Sequence, residues 1–417
     1  MFNTCERQQC SMWDEDLQSV DFIPEPSDSR ILSAADINTR GHQEGWRSEV
    51  IGWNPQPVPV VSRPRRTGQK IANFSIFVII TLLIWGIWKA EILLIDIPPP
   101  KSEWAFEDTG ARELQGLGCT GDGVNVCMVD TGIDTTHPDL QSIDLVFKDF
   151  VRGAAEPTER GSLAHGTMMA GILVADGYLE GVAPGITLGM AAALGDDGEG
   201  GNSGDQNTVA SAIDWCWKTF GADIISLSLG GVSDPDADRN GPTTNAVRQA
   251  ISNGVFVISA AGNDGGSDDD GRVSTPSNVV EAISVGAFDA SGEIWKGSSL
   301  GEPLDTDGTN REHPHMKPEL SAPGVGIIST AYGGEYYSST GTSDATVFVA
   351  GILALILEAE PHIMDGTDVD CITEVKLALK ESAIPINTNV EHDSRSGYGA
   401  VSGIGWLEEI RNSGACL

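Results

Sequence analysis

The chain predicts an α/β fold, three layers around a mostly parallel central sheet, preceded by one transmembrane helix and a disordered N-terminal tail. Three observations carry the globular part. Short apolar runs recur at residues 124–129, 187–194, 224–229, 255–260 and 282–287, several of them ending at a small or polar residue. Helical stretches at 166–175, 207–219 and 243–253 fall between them. Strands alternating with helices imply a parallel sheet covered on both faces. The third is glycine: 50 residues, many beside the apolar runs, as tight strand-to-helix turns require.

Residues 1–70 read as a disordered tail, polar and without a sustained period. Arg63, Arg65, Arg66 and Lys70 form a basic cluster near its end. Residues 71–90 follow as a transmembrane signal anchor. The stretch 71–88 carries no charge, and about 18–20 apolar residues suffice to cross a bilayer. Trp85 and Trp88 stand near one end, where indole favours the interface. The segment begins too far from Met1 for a cleaved signal peptide. With the basic cluster before it, the N-terminus is expected in the cytoplasm and the C-terminal bulk outside a cell membrane crossed once. Residues 91–104, with Pro98-Pro99-Pro100, read as a stiff juxtamembrane linker, and 105–412 as the globular domain.

Sixty acidic against 25 basic residues leave a net charge of -35. Nucleic acid is therefore not expected as a partner, because phosphate contacts need Lys and Arg. Such an excess of acid suits a salt-rich medium that screens self-repulsion, an expectation that activity measured against added salt tests. The seven cysteines show no metal-ligand spacing. Cys127 reads as a buried thiol, and a Cys371–Cys416 bridge is one pairing the sequence leaves open.

The chemistry lies in three short motifs. Asp130-Thr131-Gly132 ends a strand, His165-Gly166-Thr167 opens a helix, and Gly341-Thr342-Ser343 opens the apolar helix over 347–357. Each alone is an ordinary turn or cap. Together they supply a nucleophilic hydroxyl, an imidazole to take its proton, and a carboxylate to hold the imidazole in one tautomer. A helix start adds backbone N–H groups that can receive an oxyanion. Asp-Thr-Gly also occurs in aspartic proteases. Those need a second such carboxylate, which is missing here, and that reading leaves His165 and Ser343 without a role.

With Ser226-Leu227-Ser228-Leu229-Gly230, Ala260-Ala261-Gly262-Asn263 and Ser321-Ala322-Pro323-Gly324 in the same order, the chain resembles the subtilisin-like serine proteases over roughly residues 105–410. The resemblance implies a serine endopeptidase acting on polypeptides through an acyl-enzyme, with a subtilisin-like peptidase domain. It implies Ser343 as nucleophile, His165 as base and then acid, Asp130 as the carboxylate orienting it, and Asn263 as oxyanion donor. It also implies that Ser228, Leu229 and Gly230, with Ala260, Ala261 and Gly262, flank the first specificity pocket, and that Ser274 lies near its floor. The acidic run 268–270 reads as a solvated loop near the rim.

Three departures qualify the resemblance. Asp344 and Val347 stand where the family has Met and Pro. A charge at Asp344 could disfavour an oxyanion, depending on whether it faces water, so a membrane-tethered, inactive peptide-binding module is the alternative. The 165–181 stretch lacks the Asn-rich loop that holds calcium in many members. No cofactor is required, and calcium could bind the acidic loop 196–205. The dozen residues between anchor and domain also leave no space for the usual inhibitory prodomain.

Overall fold

The computed structural model describes residues 67–89, 100–231, 240–267, 269–305 and 307–417. The expected tail lies outside them up to residue 66, as does most of the linker. The chain divides into two units, Met1–Asp96 and Ile97–Leu417. In the first, helix α1 (Thr67–Lys89) begins within the stretch expected to be disordered and contains the apolar run. Phe74, Phe77, Leu82 and Leu83 are exposed along it.

The second unit opens with α2 (Glu103–Asp108), which takes in the last residues assigned to the linker, and α3 (Ala111–Gly116). Ser102, just before α2, is buried; its hydroxyl donates to the Gly326 carbonyl and accepts the Ile328 N–H at 2.6 Å. The sheet uses β1 (Asn125–Asp130), β2 (Asp144–Asp149), β3 (Thr187–Ala192), β6 (Ile224–Leu227), β7 (Phe256–Ala260), β8 (Ile283–Phe288) and β9 (Leu320–Pro323). Their order is β2-β3-β1-β6-β7-β8-β9, and every pair is parallel. Two antiparallel hairpins stand apart, β4–β5 (Gly195–Asp196, Asn202–Ser203) and β10–β11 (Val325–Thr330, Tyr336–Thr340).

Helices cover the sheet. These are α4 (His165–Val174), α5 (Gln206–Trp215), α6 (Pro242–Ser252), α7 (Thr342–Ala359), α8 (Val369–Ser382) and α9 (Gly403–Ser413). Helix α7 packs on β6, β7, β8, β9 and α4. By length and composition it could cross a membrane, but it is 89% buried and forms the centre of the core. Its apolar residues are hydrophobic all round, as a helix enclosed on every side must be.

Cys127 is not the free buried thiol expected from its apolar run. It is bridged to Cys216, just beyond α5, 89 residues away. The bridge puts Cys127 on the α5 face of the sheet, so strand alternation turns Met128 and Asp130 to the other face. Cys371 and Cys416 form the second disulfide, joining α8 to the end of the chain, while Cys119 is free and buried. Cys5 and Cys10 lie outside the described residues.

Candidate active site

Asp130 ends β1 fully buried, at the carboxyl edge of the sheet where α/β folds bind ligands. Its Oδ1 accepts the Thr131 N–H at 2.7 Å and lies 2.8 Å from Nδ1 of His165. Oδ2 is buried with no partner. His165 is the first residue of α4, so the loop before it and the turn after Asp130 must approach closely. Gly166 permits this: a Cβ there would collide with the Gly132 carbonyl.

Glu159, unremarked in the sequence, ties these two segments together. Oε1 accepts the Thr131 hydroxyl at 2.6 Å and the N–H groups of Arg160 and Gly161 at 2.8 and 2.7 Å. Oε2 accepts both the N–H and the hydroxyl of Thr167 at 2.7 Å, capping the free donors of the α4 terminus. Thr131 Oγ1 in turn accepts the Gly166 N–H at 2.8 Å. The signal available in the sequence was the pair of threonines, each beside a motif residue and each needing a buried partner.

Burial alone would lower the pKa of His165. The charge and hydrogen bond of Asp130, with the charges of Asp344 and Glu159, outweigh it and raise the ring to about 9.

Ser343 lies in the first turn of α7, 8% exposed. Its hydroxyl donates to the Ser228 carbonyl at 3.3 Å, and the Ser228 hydroxyl donates to the Ser343 carbonyl at 3.2 Å. Asn263, just past β7, accepts the Thr342 N–H and hydroxyl on Oδ1, each at 2.9 Å. A backbone donor identifies that atom as the oxygen, which leaves the Nδ2 amide as the open donor of an exposed side chain.

One cleft of about 760 Å³ is lined by His165, Ser343, Asn263, Ser228, Leu229 and Gly230, and also by Ala260, Gly262 and Ser274. Asp130 sits behind His165 rather than on the wall. Ala261, expected along the substrate edge, is absent from the lining. It turns inward, with its N–H on the Val285 carbonyl and its carbonyl on the Ser274 N–H. Ser274 lines the cleft beside Gly230 and Gly262. A Cβ on Gly230 would lie 2.6 Å from its Cβ, and one on Gly262 would strike its hydroxyl, so both glycines keep the pocket open.

The acidic loop near the rim is solvated in part: Asp268 is outside the described residues, Asp270 is exposed, and the Asp269 side chain is covered, 3.3 Å from Arg395. Asp344 does not face water. It is 1% exposed, with Oδ2 accepting the Ser339 hydroxyl at 2.9 Å and Oδ1 buried without a partner. Burial pushes its carboxyl up to about 7.

No group of three or more His, Cys, Asp or Glu converges for a metal among the described residues. In loop 196–205 the carboxylates of Asp196, Asp197 and Asp205 accept N–H groups of their own loop or of the α5 terminus. Asp139 is also engaged, by the Tyr178 and Leu179 N–H groups and the Tyr336 hydroxyl.

The sequence profile of the Subtilase family matches residues 121–401. Subtilisin NAT of Bacillus subtilis subsp. natto is 36% identical over 255 residues, covering 60% of this chain and 60% of that protein. The match thus spans less than two thirds of that relative. A subtilisin of Bacillus pumilus is also 36% identical over 255 residues, covering 60% of this chain and 82% of its own. Among solved structures, that of the prenylagaramide maturation protease PagA superposes with a TM-score of 0.57 at 25% identity, over 72% of this chain and 98% of PagA. A parallel sheet with these motifs at its carboxyl edge and a profile match across most of the second unit lead to one conclusion: the chain belongs to the subtilase family.

Proposed function

We propose that this subtilase is a serine endopeptidase, with Ser343 as nucleophile, His165 as general base and then acid, Asp130 as the orienting carboxylate and Asn263 as oxyanion donor. The observation that carries the reading is the 2.8 Å contact between His165 Nδ1 and Asp130 Oδ1, made beside a cleft that Ser343 and Asn263 also line. With Nδ1 committed to Asp130, Nε2 is the nitrogen left for the hydroxyl. As a peptide binds, the Ser343 hydroxyl leaves the Ser228 carbonyl for Nε2, loses its proton and attacks the scissile carbonyl. The oxyanion is received by Asn263 Nδ2 and the backbone N–H of Ser343 at the α7 terminus. His165 then protonates the leaving amine, and water repeats the sequence on the acyl-enzyme.

The substrates proposed are polypeptides whose backbone runs along Ser228, Leu229 and Gly230, with a side chain entering between Gly230, Gly262 and Ser274. The test is labelling of the full chain in detergent by a serine-reactive fluorophosphonate. Labelling is expected for the native protein and lost in Ser343→Ala; equal labelling of both overturns the assignment.

The proposed location is a cell membrane, crossed once by residues 71–90 with the peptidase unit outside. Helix α1 supports it: the uncharged stretch 71–88 within it is helical throughout and rises about 27 Å, close to a hydrocarbon layer of about 30 Å. The two disulfides support it independently, since such bridges persist in oxidising compartments. Protease added to intact cells should remove the second unit and spare an N-terminal tag; loss of the tag instead reverses the orientation.

A further inference from the structure

Asp264 directly follows the proposed oxyanion donor and lines the same cleft. Among the described residues of that lining it carries the only carboxylate. The residue is exposed, yet one of its oxygens is fixed: Oδ1 accepts the hydroxyl of Ser299, which is fully buried. The other oxygen has no partner among the described residues. Ser299 is itself held, its N–H donating to the Gly262 carbonyl at 3.1 Å, and the Gly265 N–H donates to the Gly297 carbonyl at 2.9 Å. The stretches 262–265 and 297–299 therefore run side by side. A Cβ on Gly262 would strike the hydroxyls of both Ser274 and Ser299, so the group that anchors Asp264 stands at the pocket wall. Three basic residues belong to the segments around it. Arg272 pairs with Glu302 at 3.5 Å, Arg395 pairs with Asp269 at 3.3 Å, and Lys296 is exposed. None of them forms an ion pair with Asp264.

We propose that the free oxygen of Asp264 makes this pocket selective for polypeptides cut after lysine or arginine. The inference rests on the cleft and the nucleophile assigned above, and names the substrate class of that site. The walls at Gly230, Gly262 and Ser274 carry no charge, so they accept the methylene stem of a long side chain. Lysine and arginine cover such a stem while the head group stays in water. The head then meets a carboxylate that is itself solvated, so neither charge is stripped of water before they pair. Methionine fills the same space without that contact, and glutamate is repelled by it. Because Ser299 fixes Oδ1, the acid is held at the pocket wall instead of swinging into solvent, and little ordering is left to be done when the substrate arrives. The contact is exposed, so it favours a basic residue by about three- to fivefold and weakens as salt is added.

The test is kcat/KM, with the full chain in detergent, on peptides that differ in the residue before the cut bond: Lys, Arg, Met or Glu. Each peptide carries the same total charge, balanced at its far end, so the general attraction of a chain of net charge -35 for cations cancels. The native protein should favour Lys and Arg over Met by about three- to fivefold at low salt, with Glu slowest, and the gap should close in about 1 M salt. Asp264→Asn keeps an acceptor for Ser299 and should bring the Lys-to-Met ratio to about one. Asp264→Lys should favour Glu over Lys. If neither variant folds, the native ratios and their salt dependence decide. Native ratios near one, a native preference for Met or Glu, or a lysine preference that Asp264→Asn retains overturns this inference and leaves the nucleophile in place. A native chain that cuts none of the peptides and is not labelled by the fluorophosphonate overturns the roles of Ser343 and His165, and this inference with them.

Discussion

Asp130 meets His165 through a single oxygen: Oδ1 lies 2.8 Å from the ring nitrogen and also takes the Thr131 N–H, while Oδ2 is buried unpaired. The carboxylate is therefore aimed by one oxygen, and its unpaired partner leaves the negative charge poorly solvated and directed at the ring. Asp130→Asn preserves the shape but presents the wrong tautomer to Ser343. Turnover should fall by about 10⁴, the size known for such a change in a serine protease, with KM little altered. Steady-state kinetics on one peptide checks it.

Asn263 is anchored by its oxygen and left free at its nitrogen. Asn263→Ala should lower kcat by roughly 10²–10³, the range found for a subtilisin lacking the same amide, and leave KM close to native. A rise in KM alone would mean that the side chain binds substrate without stabilising the oxyanion.

Glu159 accepts five donors within 2.8 Å. Glu159→Gln presents an NH₂ to groups that also donate, leaving buried N–H groups unpaired at about 1–3 kcal/mol. The expected result is a lower melting temperature together with a lower kcat, because the turn after Asp130 and the start of α4 lose their common anchor. Glu159→Asp should recover part of both.

Asp344 makes stability depend on pH with a definite sign. Its folded pKa of about 7 lies above the 3.8 of an unperturbed aspartate, so the folded state binds the proton more tightly. The contribution is complete below pH 3.8 and is lost as pH rises through 7. Asp344→Asn does not titrate. Its melting temperature relative to native should therefore climb between pH 4 and pH 8, by about 2–4 °C for each kcal/mol. A constant difference across that range would place the ionised carboxylate in a better-solvated setting than the fold indicates.

The Cys127–Cys216 bridge closes an 89-residue loop between a central strand and the end of α5. Cys127→Ala with Cys216→Ala should lower stability by about 2–5 kcal/mol, read from denaturant midpoints at unchanged m-value. Reduction of the native protein opens the Cys371–Cys416 bridge as well and should give at least that loss.

Much of the peptidase unit was legible because its signals are local. The apolar runs at 124–129, 224–229, 255–260 and 282–287 became β1, β6, β7 and β8 within a residue or two, and the three motifs stand where strands end or helices begin. Strand β2 escaped notice because it lies at the sheet edge, with side chains only partly covered and Lys148 among them. The β10–β11 hairpin escaped because its Ser- and Tyr-rich second strand is held by pairing rather than by its own period. The partner of Cys127 was hidden because both cysteines sit in apolar surroundings far apart in sequence. The burial of Asp344 ran against the usual exposure of an acid in a first turn. The clue was the uninterrupted apolar run after it, which leaves α7 no solvent face on which its opening turn could emerge.

The Glu159 junction also limits how this protein can be remodelled. The residues at 131, 159 and 167 form one hydrogen-bonded unit spread across three stretches of chain. A loop transplanted from a relative into 158–164 would arrive without its matching threonines, and the recipient would be left with donors facing nothing. Exchange between lineages at this position should succeed only when all three positions travel together.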